Sequence, residues 1–298
     1  LNASWTIYNG SKRLKTLKQE RLNNQIAELD VATSENTIKE SIAQIYIQIL
    51  YAAESVRVNE NTLQVSIAQR DRGQELLNAG SIAKSDLAQL EAQVSTDRYQ
   101  LVTAQATLQD YKLQLKQLLE LDGENEMNIY LPALSDENVL SPLPAKRDVY
   151  VSALALRPEI EASKLNVNAS ELGIDIAKSG YLPTVSLSAG IGTNHTSGSD
   201  FTFGEQVKNG WNNSIGLSVS VPIFNNRQTK SAVQKAKLQY ETSMLSLLDE
   251  QKALYKTIEG LWLDANSAQQ RYAAANEKLK STQIIYELDG QIGRAVQQ

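Results

Sequence analysis

One histidine, His195, is the only imidazole in this chain of 298 residues, and cysteine is absent. A Ser-His-Asp triad would have to use His195, and the paired Glu-x-x-His motifs of di-iron helical bundles need two histidines. The absence of cysteine excludes disulfides, thiolate nucleophiles and cysteine metal ligands within this chain. His195 lies in a polar segment, which favours a solvated side chain over a ligand. We therefore expect no catalytic residue, no metal site, no cofactor and no enzyme activity.

The composition also argues against nucleic acid as a partner and in favour of long helices. The 34 acidic and 29 basic residues give a formal net charge of −5, whereas nucleic-acid-binding domains carry a basic footprint. Only six prolines and 15 glycines occur, and hydrophobic residues make up 42% of the chain. With so few helix breakers, extended helical segments are the expected architecture.

Apolar residues recur every seven positions along three segments, which predicts long helices that pack lengthwise. The clearest series is Leu87, Val94, Leu101, Leu108 and Leu115. A second series begins at Ile38, and a third follows Lys230. A plain structural coiled coil would show the same heptads, so the heptads alone do not define a function.

The proline-free segment of residues 11–122 predicts a long helical hairpin. We expect its first helix to have about 65–70 residues and a length of about 100 Å at 1.5 Å per residue. Gly80 can take the left-handed conformation that ends a helix. Ser81 or Ser85 can then cap the returning helix. The tip of the hairpin is therefore expected at Gly80-Ser81-Ile82.

Two shorter segments, residues 184–192 and residues 214–221 with their continuation to Phe224, alternate between apolar and small polar residues. Each matches the length of about 9–11 residues with which a tilted β-strand crosses a bilayer. A soluble hairpin with one face on a core predicts the same alternation. The long polar connection of residues 193–213 and the aromatic residues near the strand ends favour the membrane interpretation. We expect Val185, Leu187, Ile215, Leu217 and Val219 to face lipid, and Ser186, Ser188, Ser218 and Ser220 to face a lumen.

The chain contains an internal duplication. Residues 2–13 parallel residues 218–229, since each alternating strand ends in Ile-Tyr-Asn or Ile-Phe-Asn and leads through a polar turn into a long helix. Each helix leads to a glycine, Gly80 in the first half and Gly290 in the second. Because both copies are incomplete, the duplication predicts a parent protein with roughly 70 further residues upstream and 30–40 downstream.

Several motifs in order resemble one known family. Residues 153–162 (Ala-Leu-Ala-Leu-Arg-Pro-Glu-Ile-Glu-Ala) begin an alanine-dotted helix, and residues 181–183 (Tyr-Leu-Pro) open the following strand. Residues 221–225 (Val-Pro-Ile-Phe-Asn) mark a strand exit, and Gly80 marks a hairpin tip. This order and spacing resembles the TolC-like outer-membrane efflux family over essentially the whole chain. Residues 5–8 (Trp-Thr-Ile-Tyr) depart from the proline-containing form of the strand exit.

The resemblance implies a mainly α fold in which long antiparallel helical hairpins form an α-barrel tunnel, with a few transmembrane strands from each chain in a shared trimeric β-barrel. It implies a homotrimer in the outer membrane of a Gram-negative bacterium, in contact with outer-membrane lipid and extending into the periplasm. The implied function is a passive exit duct for small molecules or proteins in a tripartite efflux or type I secretion system. A periplasmic adaptor (membrane fusion) protein and an inner-membrane pump are the implied partners. A structural coiled-coil protein and the adaptor itself are the alternatives.

We also expect the hairpin tips to dock the adaptor, because a pump must hand over its cargo without leakage. The residues expected to contact it are Leu77, Gly80, Ser81, Ile82 and Gly290. Asp86 and Asp289 flank the two tips, and a ring of acidic residues at a narrow mouth would favour cations. For both sets the simpler interpretation is structural, namely a helix cap followed by a turn, and solvated aspartates at helix ends.

These interpretations divide the chain into six segments. They are the end of a first-half strand at 1–9, a long helical hairpin at 10–120 with its tip near 80–82, an equatorial linker at 121–147, a helix at 148–180, two strands at 181–224 with an extracellular loop at 193–213, and a second-half long helix at 225–298 that reaches a tip near 290.

Overall fold

Helices make up most of the chain, as the heptads predict. The computed structural model describes residues 1–121, 129–130, 139–198 and 200–296, with side chains to residue 288. The elements in chain order are β1 (Asn2–Asn9), α1 (Lys12–Asn78), α2 (Lys84–Leu118), α3 (Lys146–Leu156), α4 (Pro158–Lys178), β2 (Thr184–Gly192), α5 (Phe203–Asn209), β3 (Asn212–Ser220) and α6 (Gln228–Val296). Among the described helices, none is both long and apolar enough to cross a membrane. The chain forms two compact units, residues 1–33 with 137–298, and residues 34–136.

In the unit of residues 34–136, α2 packs against the second part of α1 through the predicted heptads. Leu87 and Val94 are buried, and Leu101 and Leu108 are half-buried. The buried positions of α1 show the same spacing; they are Ile49, Ala52, Leu63, Ser66 and Gly73. Ile38, the first member of its predicted series, is exposed. The heptad interface therefore stabilises this hairpin mainly by removing apolar side chains from water.

Gly73 allows the two helices to approach closely near the hairpin tip. A Cβ atom at this position would lie 2.5 Å from Cδ1 of Leu90 and 3.8 Å from Cδ1 of Ile82. Glycine inside a helix is unfavourable by roughly 0.5–1 kcal/mol relative to alanine. The space it provides for Leu90 explains its presence inside α1.

Three antiparallel strands form one sheet in the order β1-β2-β3. The pairing of β2 with β3 is regular from Thr184↔Ser220 to Gly192↔Asn212. The pairing of β1 with β2 shifts between Thr6 and Tyr8, where Ile7 has no partner in the register. The predicted alternation is thus kept along β2 and β3 and interrupted once in β1, within the segment that departs from the family's strand-exit motif.

Helices α3 and α4 run antiparallel to α6 in the unit that contains the sheet. Lys146 Nζ lies 3.2 Å from Glu259 Oε1, and the hydroxyl of Ser163 donates to Glu250. The expected single helix over residues 148–180 is wrong, because Arg157 is extended, with φ −75° and ψ 121°. A proline disfavours helical backbone at the preceding residue, and Pro158 is accepted as the first residue of α4.

The two junctions from strand to long helix repeat the same backbone geometry. Two successive residues with positive φ precede each helix, Gly10 (65°) with Ser11 (62°) before α1, and Asn226 (49°) with Arg227 (61°) before α6. An asparagine precedes each pair and forms a local hydrogen bond within its junction. The helices that follow have 67 and 69 residues. The structure thus confirms the strand-to-helix part of the predicted duplication.

Candidate functional site

One face of the sheet is apolar across all three strands and open to the outside of the chain. Trp5 pairs with Leu187, and Leu187 pairs with Leu217. The neighbouring pair Val185↔Val219 lies on the same face because strand side chains alternate with a period of two. Leu217 is 66% exposed and Trp5 is 61% exposed. We call this surface the apolar sheet face; its members are Trp5, Val185, Leu187, Ile215, Leu217 and Val219.

The opposite face of the sheet carries small polar residues. Thr6 pairs with Ser186, and Ser186 pairs with Ser218. Ser218 Oγ donates a hydrogen bond to the carbonyl of Ser186 at 3.4 Å, and Ser188 Oγ donates to the carbonyl of Gly216 at 3.2 Å. Small hydroxyl side chains suit contact with water. The two faces therefore separate the residue types as the alternation predicts.

The connection between β2 and β3 contains a helix that the sequence analysis missed. Thr202 caps α5, and its hydroxyl accepts from the backbone N–H of Glu205 at 3.5 Å. The backbone N–H and hydroxyl of Thr202 both donate to the Glu205 carboxylate, and these hydrogen bonds lower the pKa of Glu205. The Thr-x-x-Glu spacing of a capping box was the available signal.

His195 lies in this connection and is exposed, as expected from its polar surroundings. Its Nδ1 is 3.1 Å from Oε1 of Gln206, and its ring meets that of Phe203 edge-on at 5.3 Å. Within the described residues, no group of three or more histidine, aspartate or glutamate side chains is placed to hold a metal ion. The contacts of His195 therefore serve to shape the connection around α5.

The hairpin tip between α1 and α2 is a Schellman motif. Gly80 has φ +72°, which confirms the predicted left-handed residue. Its N–H donates to the carbonyl of Leu77 at 2.9 Å, and the N–H of Ser81 donates to that of Leu76 at 2.8 Å. Gly80 and Ser81 are exposed, whereas Leu77 and Ile82 are half-buried. Four of the five predicted docking residues are therefore brought together in one turn.

Asp86 caps the returning helix at this tip. Its carboxylate accepts from the backbone N–H of Ala83 at 3.0 Å. Ala83 is the N-cap residue of α2, so the expectation that Ser81 or Ser85 supplies the cap is wrong. An acidic residue in the first turn also interacts favourably with the positive end of the helix dipole. Asp86 thus has a structural role at the position where an acidic mouth was expected.

The second expected tip lies at the end of α6. This helix continues through Gly290 to Val296, so the described backbone does not turn at Gly290 as expected. The side chain of Asp289 lies outside the described residues, as do those of residues 290–298.

The starts of α1 and α6 carry a group of exposed cations. No acidic residue occurs in residues 1–19 or 206–240, yet each stretch contains several lysine or arginine residues. Lys12, Arg13, Arg227 and Lys230 are all exposed. On α4, Asp175 forms ion pairs with Lys15 of α1 at 3.5 Å and with Lys178 at 3.2 Å. The hydrogen bond from Lys178 is the main cause of the lowered pKa of Asp175.

Comparison with known proteins gives one family and a consistent set of relatives. Residues 149–292 match the family model described as outer membrane efflux protein. The outer membrane efflux protein BepC of Brucella suis biovar 1 is 26% identical over 260 residues, which cover 87% of this chain and 53% of the relative. The outer membrane protein TolC of Escherichia coli K12 is 25% identical over 297 residues, which cover 95% of this chain and 58% of the relative.

Solved structures show the same fold. A crystal structure of CusC, in a study of its folding and transmembrane channel formation, superposes with a TM-score of 0.75 at 21% identity. The match covers 92% of this chain and 63% of that one. The chain therefore spans between half and two thirds of the length of the proteins compared here.

Proposed function

We propose that this chain is a TolC-like outer-membrane efflux protein, because residues 149–292 match the outer membrane efflux protein family model, and that it forms part of an outer-membrane exit duct. The duct is a passive conduit that carries small molecules or proteins across the periplasm and the outer membrane. It serves as the outer component of a tripartite efflux or type I secretion system. In this role the chain binds and conducts its cargo without catalysing a reaction.

The observation that supports this proposal most strongly is the sheet with two chemically different faces. Leu217 and Ile215 have exposed fractions of 66% and 84%. Exposing these apolar side chains to water is unfavourable, whereas contact with lipid is not. The small polar side chains of the other face suit a water-filled lumen. The sheet is followed directly by helices of 67 and 69 residues, long enough to form a tunnel of about 100 Å.

The open strand edges support a closed assembly of several chains. In the described chain, β1 and β3 are the outer strands of the sheet and each pairs on one side only. Open sheet edges are not tolerated in the hydrocarbon of a bilayer because their N–H and C=O groups would stay unpaired. We propose that these edges pair within a homotrimer that shares one β-barrel. A periplasmic adaptor protein then docks at the hairpin tip and links the duct to an inner-membrane pump.

A matched pair of arginine substitutions tests this function. Leu217→Arg puts a charge on the apolar sheet face, and near the bilayer midplane we expect a cost of about 2–4 kcal/mol. Ser218→Arg, one residue further along the same strand, points to the lumen and serves as the control. Each variant of the protein that contains this chain is expressed in a Gram-negative host without its own duct. Membrane insertion is measured by flotation, and export by susceptibility to a transported drug.

The proposal expects Leu217→Arg to reduce insertion and export together, whereas Ser218→Arg is inserted normally. Equal insertion of the two variants would indicate that the sheet does not cross a membrane. Such a result would favour a soluble coiled-coil protein with a sheet at one end.

A further inference from the structure

The first turns of α1 and α6 carry cations where helices usually carry acidic residues. Neither helix has an acidic residue in its first turn. Lys12 and Arg13 begin α1, Arg227 directly precedes α6, and Lys230 lies in its first turn. Positive charge near a helix N-terminus opposes the helix dipole. An arrangement that is unfavourable within the chain suggests an anionic partner outside it. We call Lys12, Arg13, Arg227 and Lys230 the basic collar.

The basic collar is not neutralised within the part of the chain that the structure describes. No described carboxylate lies within 4.0 Å of the side-chain nitrogens of its four members, in contrast to the neighbouring Lys15 and Lys178. Asp175, the nearby acidic residue, is already shared by those two lysines. The four exposed cations are therefore available to an external anion.

The two helix starts lie together at one end of the sheet. Lys12 of α1 and Gln228 of α6 line the same cavity of ≈ 570 Å³, together with Thr184 and Ser220 at the ends of β2 and β3. The collar thus lies a few residues beyond the ends of β1 and β3, two of the strands that carry the apolar sheet face.

Exposed apolar residues continue from the sheet toward the collar. Val221, Ile223 and Phe224 lie between β3 and Arg227, and Ile223 is 95% exposed. A bilayer has a hydrocarbon core of about 30 Å and a total thickness of about 40–45 Å, which leaves a headgroup layer of about 5–8 Å on each side. The first turn of a helix spans about 5 Å. If the apolar sheet face lies in hydrocarbon, the basic collar is at the depth of the lipid phosphates.

We propose that the basic collar binds the phosphate groups of anionic phospholipids in the periplasmic leaflet of the outer membrane. The inference rests on the proposed membrane position of the sheet. Lysine and arginine stems can lie along the apolar surface while their charged ends reach the phosphates. The bound lipids would neutralise the collar and fix the depth of the sheet in the bilayer.

The test measures lipid preference in the protein that contains this chain. Nanodiscs are formed from phosphatidylcholine with a minority of phosphatidylglycerol, and the ratio of the two lipids retained on the purified protein is determined by mass spectrometry. The collar variant replaces all four residues with glutamine. A charge-matched control carries Arg72→Gln, Arg98→Gln, Lys256→Gln and Lys278→Gln, four exposed cations along the long helices. A second control exchanges lysine for arginine, and arginine for lysine, within the collar.

We expect the unchanged protein and both controls to enrich phosphatidylglycerol. In the collar variant, each cation removed should reduce the preference for phosphatidylglycerol by about fivefold. Inorganic phosphate at the concentration of the lipid headgroups should not reduce the enrichment. An unchanged lipid preference in the collar variant, or an equal loss of preference in the glutamine control, would overturn the proposal of lipid binding. The proposed duct function would still stand if the protein inserts into the nanodisc. Competition by free phosphate would overturn the lipid as the ligand. Failure of the unchanged protein to enter the nanodisc would overturn both proposals.

Discussion

Replacing Gly10 with alanine should destabilise the junction between β1 and α1 by about 2–5 kcal/mol. Gly10 is buried and has φ +65°, a backbone conformation that residues with a Cβ atom rarely adopt. A Cβ atom there would lie 2.9 Å from the backbone carbonyl oxygen of Ser179 and 2.8 Å from Cβ of Leu182. Both neighbours belong to the segment that links α4 to β2, so neither can move away as the end of a flexible side chain could.

The magnitude combines two independent effects. The left-handed conformation costs an L-residue about 1–2 kcal/mol. Forcing an extra methyl group into a filled space typically costs about 1–3 kcal/mol. The internal duplication supplies a matched control, because Asn226 occupies the equivalent position before α6 with φ +49° and is exposed. Asn226→Ala keeps the backbone conformation without a buried contact, and we expect it to cost about 1–2 kcal/mol at most.

Denaturation by urea in detergent, followed by tryptophan fluorescence, compares the two variants. Of the three tryptophans, Trp5 lies in β1, the strand that leads into this junction, so the change in emission includes a contribution from β1. We expect a clearly lower urea midpoint for Gly10→Ala than for Asn226→Ala, with an unchanged dependence of the unfolding free energy on urea concentration. Equal midpoints would show that the contacts with Ser179 and Leu182 do not restrict the junction.

Three further changes test other parts of the structure. Ile49→Ala, at a fully buried position of the α1–α2 hairpin, should cost about 2–5 kcal/mol in urea unfolding, and exposed Ile47→Ala should be nearly neutral. The pKa of Asp175 is lowered in the folded protein, mainly by Lys178, so its contribution to stability should be present at neutral pH and be lost as the pH falls below about 4. Asp175→Asn should therefore lose less stability than the unchanged protein between pH 6 and 3, and an equal loss would refute this. Ser81→Arg should abolish export while the heat-resistant trimer on a gel remains; normal export, or loss of the trimer itself, would contradict a docking role for the tip.

The helical hairpin could be predicted from the sequence because burial follows the heptads. Leu87 and Val94 lie in the interface for the same reason that they recur every seven residues. Even Asp97, a polar residue three positions after Val94 and therefore on the same side of α2, is buried, and Gln93 donates to its Oδ1 at 2.8 Å. The periodicity therefore fixed the position of a side chain whose polarity alone suggested the surface.

The features that were missed depend on single local contacts. The break between α3 and α4 at Arg157 depends on Pro158. Because the residues on both sides show helical patterns, we expected one continuous helix. The cap of α2 depends on the Asp86 carboxylate reaching the backbone N–H of Ala83, and the residue types alone did not distinguish Asp86 from the nearby serines. The basic collar has a sequence signal, an acid-free stretch of cations around the start of each long helix, but the proximity of the two helix starts becomes visible only in three dimensions.

The most direct test of the claim that the sheet crosses a membrane is to measure whether Leu217 and Ser218 face opposite environments in a bilayer. The chain contains no cysteine, so Leu217→Cys and Ser218→Cys each introduce one thiol into it for an environment-sensitive fluorophore. The labelled protein is reconstituted into vesicles that contain nitroxide-bearing lipid, and quenching by the lipid is compared with quenching by aqueous iodide. We expect strong quenching by the lipid and little quenching by iodide at position 217, and the reverse at position 218. Iodide quenching of equal strength at both positions, without quenching by the lipid, would contradict it.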